Sequence, residues 1–288
     1  MASITIVGPG RMGLALGGAL VSSGAVHSLT VFGRRPEPPT HPLFTQGLAR
    51  YVFGVEPLAP DSIALFLAVP DAVVPEMAFT VAAQGDAPHG CAAFHVSGSL
   101  PTDVLGPLHP RGYALGSFHP LQTVSHSESG ADRIQGSYIA VVGSPEATAV
   151  ARRLANAMGS HVLSVPAARR PLFHAATVLA SGYLPPLLDV AVRLMERAGV
   201  APDEALPALL PLVRGTLDNV EERGLAASVR GPIAGEDLET IALHLRALDE
   251  DDRRLYAAFG AQLARLAGPG LDDDARATIA EQFARAGR

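Results

Sequence analysis

The chain has 288 residues, 48% hydrophobic and 17% charged, with a formal net charge of -6. That length exceeds what one hydrophobic core commonly serves, so two domains of a globular protein are expected. The acidic balance argues against a nucleic-acid partner, which needs clustered positive charge. No uncharged apolar stretch reads as a membrane span and no secretory leader precedes the first strand. With one cysteine, Cys91, an intramolecular disulfide is excluded, and a cytoplasmic protein without membrane contact is expected. All 22 Lys+Arg residues are arginine. A lysine Schiff base or lysine general acid is therefore ruled out. A proton donor must be His, Tyr, Asp, Glu, a serine relay or water.

Taken in order, residues 4–7 form a short apolar run bounded by glycine, the pattern of a buried parallel strand. Residues 14–22, rich in Ala, Leu and Gly, suit a helix packed closely on a sheet. Further strands are predicted at 29–32, 51–55, 63–69, 92–96, 114–117, 138–142 and 161–165. Pro70-Asp71 opens a helix, with Asp71 as its cap. Residues 36–42 and 126–132 read as surface loops. After residue 166 the strand pattern stops. Helices are predicted at 169–198, kinked or split by Pro185-Pro186, and at 202–223, 236–248, 251–266 and 273–286. Asp249 to Asp252 and Arg253-Arg254 read as a solvated helix start. Strands alternating with helices and then helices alone predict an α/β domain over 1–166 followed by an all-α domain over 167–288.

Gly8-Pro9-Gly10-Arg11-Met12-Gly13 has the spacing G-x-G-x-x-G and lies between a predicted strand and a predicted helix, the context of a dinucleotide site. The α/β domain is thus read as a Rossmann domain with a doubly wound, mostly parallel sheet. Gly8 permits the turn, Gly10 the approach of the pyrophosphate, and Gly13 the closure of helix on strand. At the end of the second strand an NAD site carries an acid for the ribose hydroxyls. This chain has Gly33 followed by Arg34 and Arg35, which would bind a 2′-phosphate and point to NADP(H).

Three strand ends should face the ligand: Val69-Pro70, the run from His95 to Ser99, and the run from Ser117 to Leu121. Val69 and Pro70 are expected to line the nicotinamide ribose. Ser97 is expected to bind cofactor and is also a catalytic candidate, with Ser97 or Ser99 available to a substrate carboxylate or the nicotinamide carboxamide. His119 and His174, the latter early in the helical domain, are candidates to exchange a proton with a substrate in an interdomain cleft. Tyr183 is expected in the core. His89, Cys91 and His95 lack paired ligand spacing, so no metal site is expected.

The stretches GPGRMG (8–13), FLAVPD (66–71), HVSGSL (95–100), SFHPLQT (117–123), FHAATVLASGYL (173–184) and GPIAGED (231–237) carry a resemblance. In their order they resemble bacterial proteins in which a Rossmann-like NADP-binding domain precedes a helical domain of unknown function, DUF2520. These are distantly similar to pyrroline-5-carboxylate reductase, ketopantoate reductase and 6-phosphogluconate dehydrogenase-like enzymes. The resemblance implies a reductase or dehydrogenase of no settled substrate, and a homodimer joined through the helical domain. The leading reading is an NADP-dependent oxidoreductase acting on a small carbonyl or imine, with one bearing a carboxylate among the candidates. The family more often has Arg-Gly-Asp where this chain has Gly235-Glu236-Asp237, so an arginine that could meet substrate is missing. The lysine used by the hydroxyacid and ketopantoate relatives is also absent. Two alternatives stand beside this reading: a non-catalytic NADP-binding sensor, and a reductase with a second hydride carrier such as a deazaflavin.

Overall fold

The computed structural model describes residues 2–267 and 272–287 and divides the chain into two compact units, Met1–Gly182 and Tyr183–Arg288. The first unit contains β1 (Ala2–Val7), α1 (Arg11–Ser22), β2 (Val26–Gly33), α2 (Pro42–Thr45), β3 (Arg50–Phe53), β4 (Ser62–Leu67) and α3 (Val74–Ala82). There follow β5 (Ala92–His95), β6 (Ala114–Pro120), α4 (Ser127–Ile134), β7 (Tyr138–Gly143), α5 (Pro145–Ala157), β8 (His161–Ser164) and α6 (Arg170–Thr177). The strands form one sheet in the order β3-β2-β1-β4-β5-β6-β7-β8, parallel throughout except at β6–β7. This is the α/β Rossmann-type sheet that the alternating pattern predicts. Its order reverses between β1 and β4, where such sheets open a ligand crevice.

Alternation along the strands sorts side chains onto two cores, one on each face. Ile4, Ile6, Phe66, Phe94 and Phe118 pack with Leu16, Leu20 and Leu154. Val7, Phe32, Leu65 and Leu67 pack with Val74, Val81, Leu105 and Leu108. Phe66 contacts Phe94 and Phe118 at ring-centroid distances of 5.2 and 5.3 Å, clamping β4, β5 and β6 together. Residues 127–134 form α4 rather than the expected loop. Gly130 lets that helix approach Ala15 of α1, a contact invisible to local propensity.

The second unit holds α7 (Leu184–Arg197), α8 (Pro202–Ala227), α9 (Leu238–Ala247), α10 (Glu250–Ala267) and α11 (Asp273–Ala286). It is helical, as expected. The break before α7 is a π-helical turn at Val178–Gly182, not a kink at Pro185-Pro186. The prolines instead occupy the first turn of α7, where a missing N–H removes no helical bond. Gly224, at φ 77, breaks α8 near its end. The core is formed by Val229, Ile233, Ile241, Leu245, Ala257, Ile279 and Phe283. Asp252, expected in a solvated run, is buried and paired with Arg197 at 2.9 Å. Tyr183 is exposed rather than in the core.

The compact division falls after Gly182, and Arg170 of α6 is tied back to the sheet. The helical run 167–197 is long and apolar enough to cross a membrane by length and composition, and none of its most apolar window is buried. A window tolerating an isolated charge passes where an uninterrupted apolar run does not.

Candidate active site

β1 delivers the chain into Gly8, whose φ of 106 belongs to the left-handed half of backbone space and whose N–H donates to the Phe32 carbonyl at 2.9 Å. A Cβ on Gly8 would lie 2.5 Å from the Ala68 carbonyl oxygen and 3.1 Å from Val69 Cγ1. A Cβ on Gly13 would overlap the Gly8 carbonyl, whereas at Gly10 nothing lies within 4 Å. Two glycines thus bring helix, turn and β4 together, and the third keeps an open approach. α1 starts with no side-chain cap and no acid in its first turn, so its N–H groups and positive dipole end are left for an anion. Arg11 is exposed there, while Met12 packs on the core beneath. The residues fit a dinucleotide pyrophosphate.

Arg34 and Arg35 follow the last residue of β2, are exposed, and have no ion-pair partner among the described residues. The Tyr51 hydroxyl donates to the Arg35 carbonyl at 2.6 Å. Gly33 admits that ring, since a Cβ would overlap the phenol. The turn is therefore braced while both guanidinium groups stay free.

Asp71 does not cap its helix. Its Oδ2 accepts from Ser97 Oγ at 2.7 Å and Ser99 Oγ at 2.9 Å, linking the end of β4 to the loop after β5. Ser97 Oγ also accepts from the Ser99 and Leu100 backbone N–H groups, each at 3.1 Å. Its proton is committed to Asp71, so Ser97 organises this turn and has no donor left for a substrate or carboxamide. Pro70 is exposed and Val69 half-buried beside Gly8.

His119, at the end of β6, and His174, on α6, converge over Gly98. A Cβ there would lie 2.6 Å from His174 Cδ2 and 2.9 Å from His119 Nε2. His174 therefore belongs to the first compact unit, not to the helical unit expected to supply it. His119 Nδ1 is 3.0 Å from the Val96 carbonyl, which can only accept, so Nδ1 carries the hydrogen and Nε2 presents a lone pair. Burial lowers its pKa below the ordinary 6.5, with Arg170 and His174 adding to the effect and the Val96 bond opposing it. At neutral pH His119 is a base rather than an acid. His95, one strand away, is fully buried with neither ring nitrogen hydrogen-bonded, and burial first, then Arg170, pushes its pKa down to about 4.

The sequence reading missed Arg170. It is 6% exposed; Nη1 donates to Ser117 Oγ and Nη2 to the Ser97 carbonyl, spanning the ends of β5 and β6. Its spacing of four from His174 puts both on one face of α6, the only sequence signal that could have paired them.

A glycine-lined turn opening an uncapped helix, at the crevice of a mostly parallel sheet, defines a Rossmann-type unit. Comparison with known families agrees: the Rossmann-like domain matches residues 1–120 and the domain of unknown function DUF2520 matches residues 137–263. The chain carries these two domains in this order. Among solved structures the fold is similar to protein TM1727 from Thermotoga maritima, with a TM-score of 0.64 and 16% identity over 99% of this chain and 98% of that one. It is similar to Plasmodium falciparum pyrroline carboxylate reductase with NADP bound, at 0.62 and 11% identity over 100% and 98%. An imine reductase from Pseudomonas sp. gives 0.56 and 19% over 100% and 99%. No curated protein sequence matches the chain.

Proposed function

We propose that the protein is an NADP(H)-dependent oxidoreductase that transfers a hydride to or from a small carbonyl or imine. One observation carries this reading. A line of contacts runs from Gly8 through Ala68 and Val69, then by Asp71 to Ser97, and so to Gly98 beneath His119 and His174. Cofactor cradle and titratable side chains thus share one edge of the sheet. Gly8, Gly10, Gly13 and the start of α1 would hold the pyrophosphate, and Arg34 and Arg35 the 2′-phosphate. The bound coenzyme would supply the hydride. Reductases of pyrroline carboxylate and of imines on the same fold favour a C=N or C=O substrate.

His119 would act through its bare Nε2. In the oxidative direction it accepts a proton from the reduced substrate; in reduction it must first be protonated. Because its pKa is lowered, that protonated form is scarce at neutral pH. Reduction by NADPH should therefore accelerate as pH falls below 7, and oxidation by NADP+ should slow. A screen of keto acids, aldehydes and cyclic imines with NADPH tests the activity. His119→Ala should lower turnover in any hit while leaving NADPH binding intact.

A second reading, an NADP-binding sensor, is favoured by the same neutral His119, since it leaves the site without a charged acid. NADPH binding with no oxidation across the screen would select it.

The helical unit is proposed to join two copies of the chain as a homodimer. α7 has no buried residue, and Leu187, Leu212, Leu217 and Leu225 stand exposed on α7 and α8. Sedimentation should show twice the chain mass at micromolar concentration. A monomer, or partition into detergent or vesicles, would refute the dimer.

A further inference from the structure

We propose that the site takes an anionic substrate, a small carbonyl or imine compound bearing a carboxylate, and that Arg170 is the group that binds it. This rests on the oxidoreductase reading and names the substrate class for the same site.

Arg170 is a buried cation without a counter-ion. Both of its hydrogen-bond partners, the Ser117 hydroxyl and the Ser97 carbonyl, are neutral, and its Nε–H is buried with no partner. No carboxylate lies within ion-pair distance of it among the described residues. A guanidinium held this way carries a desolvation penalty that neutral acceptors offset only in part, whereas a carboxylate offsets it through paired, charge-assisted bonds.

The surrounding groups leave that role open. Asp71, the acid that acts on Arg170 electrostatically, is exposed and accepts from Ser97 and Ser99. His95 and His119 are both shifted toward the neutral form, so neither repels a cation nor replaces an anion. His174 lies one turn along α6 on the same face, and the Ser97 carbonyl that Arg170 grips immediately precedes Gly98, beneath both imidazoles. A carboxylate on Arg170 would hold the neighbouring carbon of a 2-oxo or 2-imino acid beside His119 Nε2. The clamp explains the hydrogen bonds; the missing counter-charge and idle Nε–H call for an anion.

The test is calorimetric titration of the protein with pyruvate, against acetamide as the neutral probe, at constant ionic strength, with and without saturating NADP+. Pyruvate should bind and acetamide should not. Arg170→Gln should weaken pyruvate by about 10- to 100-fold with NADP+ affinity unchanged, and Arg170→Lys should restore part of it. Equal binding of both probes, no pyruvate binding by the wild type, or unchanged affinity in Arg170→Gln would overturn the proposal. Should Arg170→Gln not fold, Ser117→Ala removes one arm of the clamp but keeps the cation. Retained pyruvate affinity then supports the anion site, and its loss overturns it. Failure of NADP+ to bind would strike the coenzyme reading alone, because pyruvate binding dependent on Arg170 is measured separately in the apo protein.

Discussion

The two units of this chain bury their apolar side chains in different ways. In the first, both faces of the sheet are covered, and Ile4, Ile6, Leu65, Phe66, Phe94 and Phe118 are fully enclosed within one chain. In the second, α9 to α11 close a small core while α7 buries nothing and α8 buries only Ala205. Leu212 is 67% exposed and Leu217 58%. The first unit encloses its sheet, leaves Leu172 and Leu179 exposed after β8, and gathers the polar residues of the site at one edge of the sheet. The second leaves leucines of α7 and α8 exposed, and these are the side chains that the proposed homodimer would cover.

The sharpest way to break that contrast is Gly13→Val. Its side chain would drive α1 off the Gly8 carbonyl, and NADPH binding by fluorescence titration should fall by more than about 100-fold, as expected for lost backbone contact with the pyrophosphate. The oligomeric state should not change. A variant that binds NADPH normally would remove the glycine turn from the cofactor site.

The complementary change is the double substitution Leu212→Glu and Leu217→Glu. It should raise the dimer dissociation constant by roughly 100-fold or more, from two leucines' worth of apolar burial, with NADPH affinity preserved. Unchanged sedimentation would show that α8 is not the covered face.

Next in size is an acid sensitivity confined to the first unit. His95 is neutral in the folded chain down to about pH 4, but titrates near 6.5 when unfolded. The unfolded state binds the proton first, so stability is complete above pH 6.5 and falls between 6.5 and 4, by about 3 kcal/mol from this residue. His41 and His119, also lowered, act in the same direction. Denaturant unfolding of His95→Leu should show a clearly flatter pH dependence than the wild type. An equally steep curve would assign the effect elsewhere.

The smallest expected effect concerns coenzyme choice. Arg34→Ser should weaken NADPH about 10-fold, the scale of one charge-assisted contact, and leave NADH unaltered. Equal losses for both would place Arg34 outside the 2′-phosphate site.

Much of the first unit was legible in the sequence because its signals are local. Each of the eight strands contains a short apolar stretch between turn residues, and the glycine spacing encodes a turn and a helix start within six positions. The helical unit was legible by period and by where its strand signals end. Other features depended on contacts between distant segments. α4 is a weak helix former held by Gly130 against Ala15, so propensity reads it as a loop. The break before α7 moved to a π-turn because proline fits a first turn better than a kink. Asp71 looked like a cap because aspartate often is one, but the loop after β5 brought two serine hydroxyls to it.

By itself, then, the sequence determined the alternating strands and helices, the glycine cradle and the change to helices alone, since hydrophobic period and backbone freedom are properties of neighbouring residues. Only the tertiary structure decided which residues meet at the strand ends. The antiparallel entry of β7, the tautomer of His119 set by Val96, and the reach of Arg170 to Ser117 and Ser97 each join segments far apart in the chain. A buried cation acquires its chemistry from what folding places, or leaves out, around it, and no local pattern encodes a missing counter-ion.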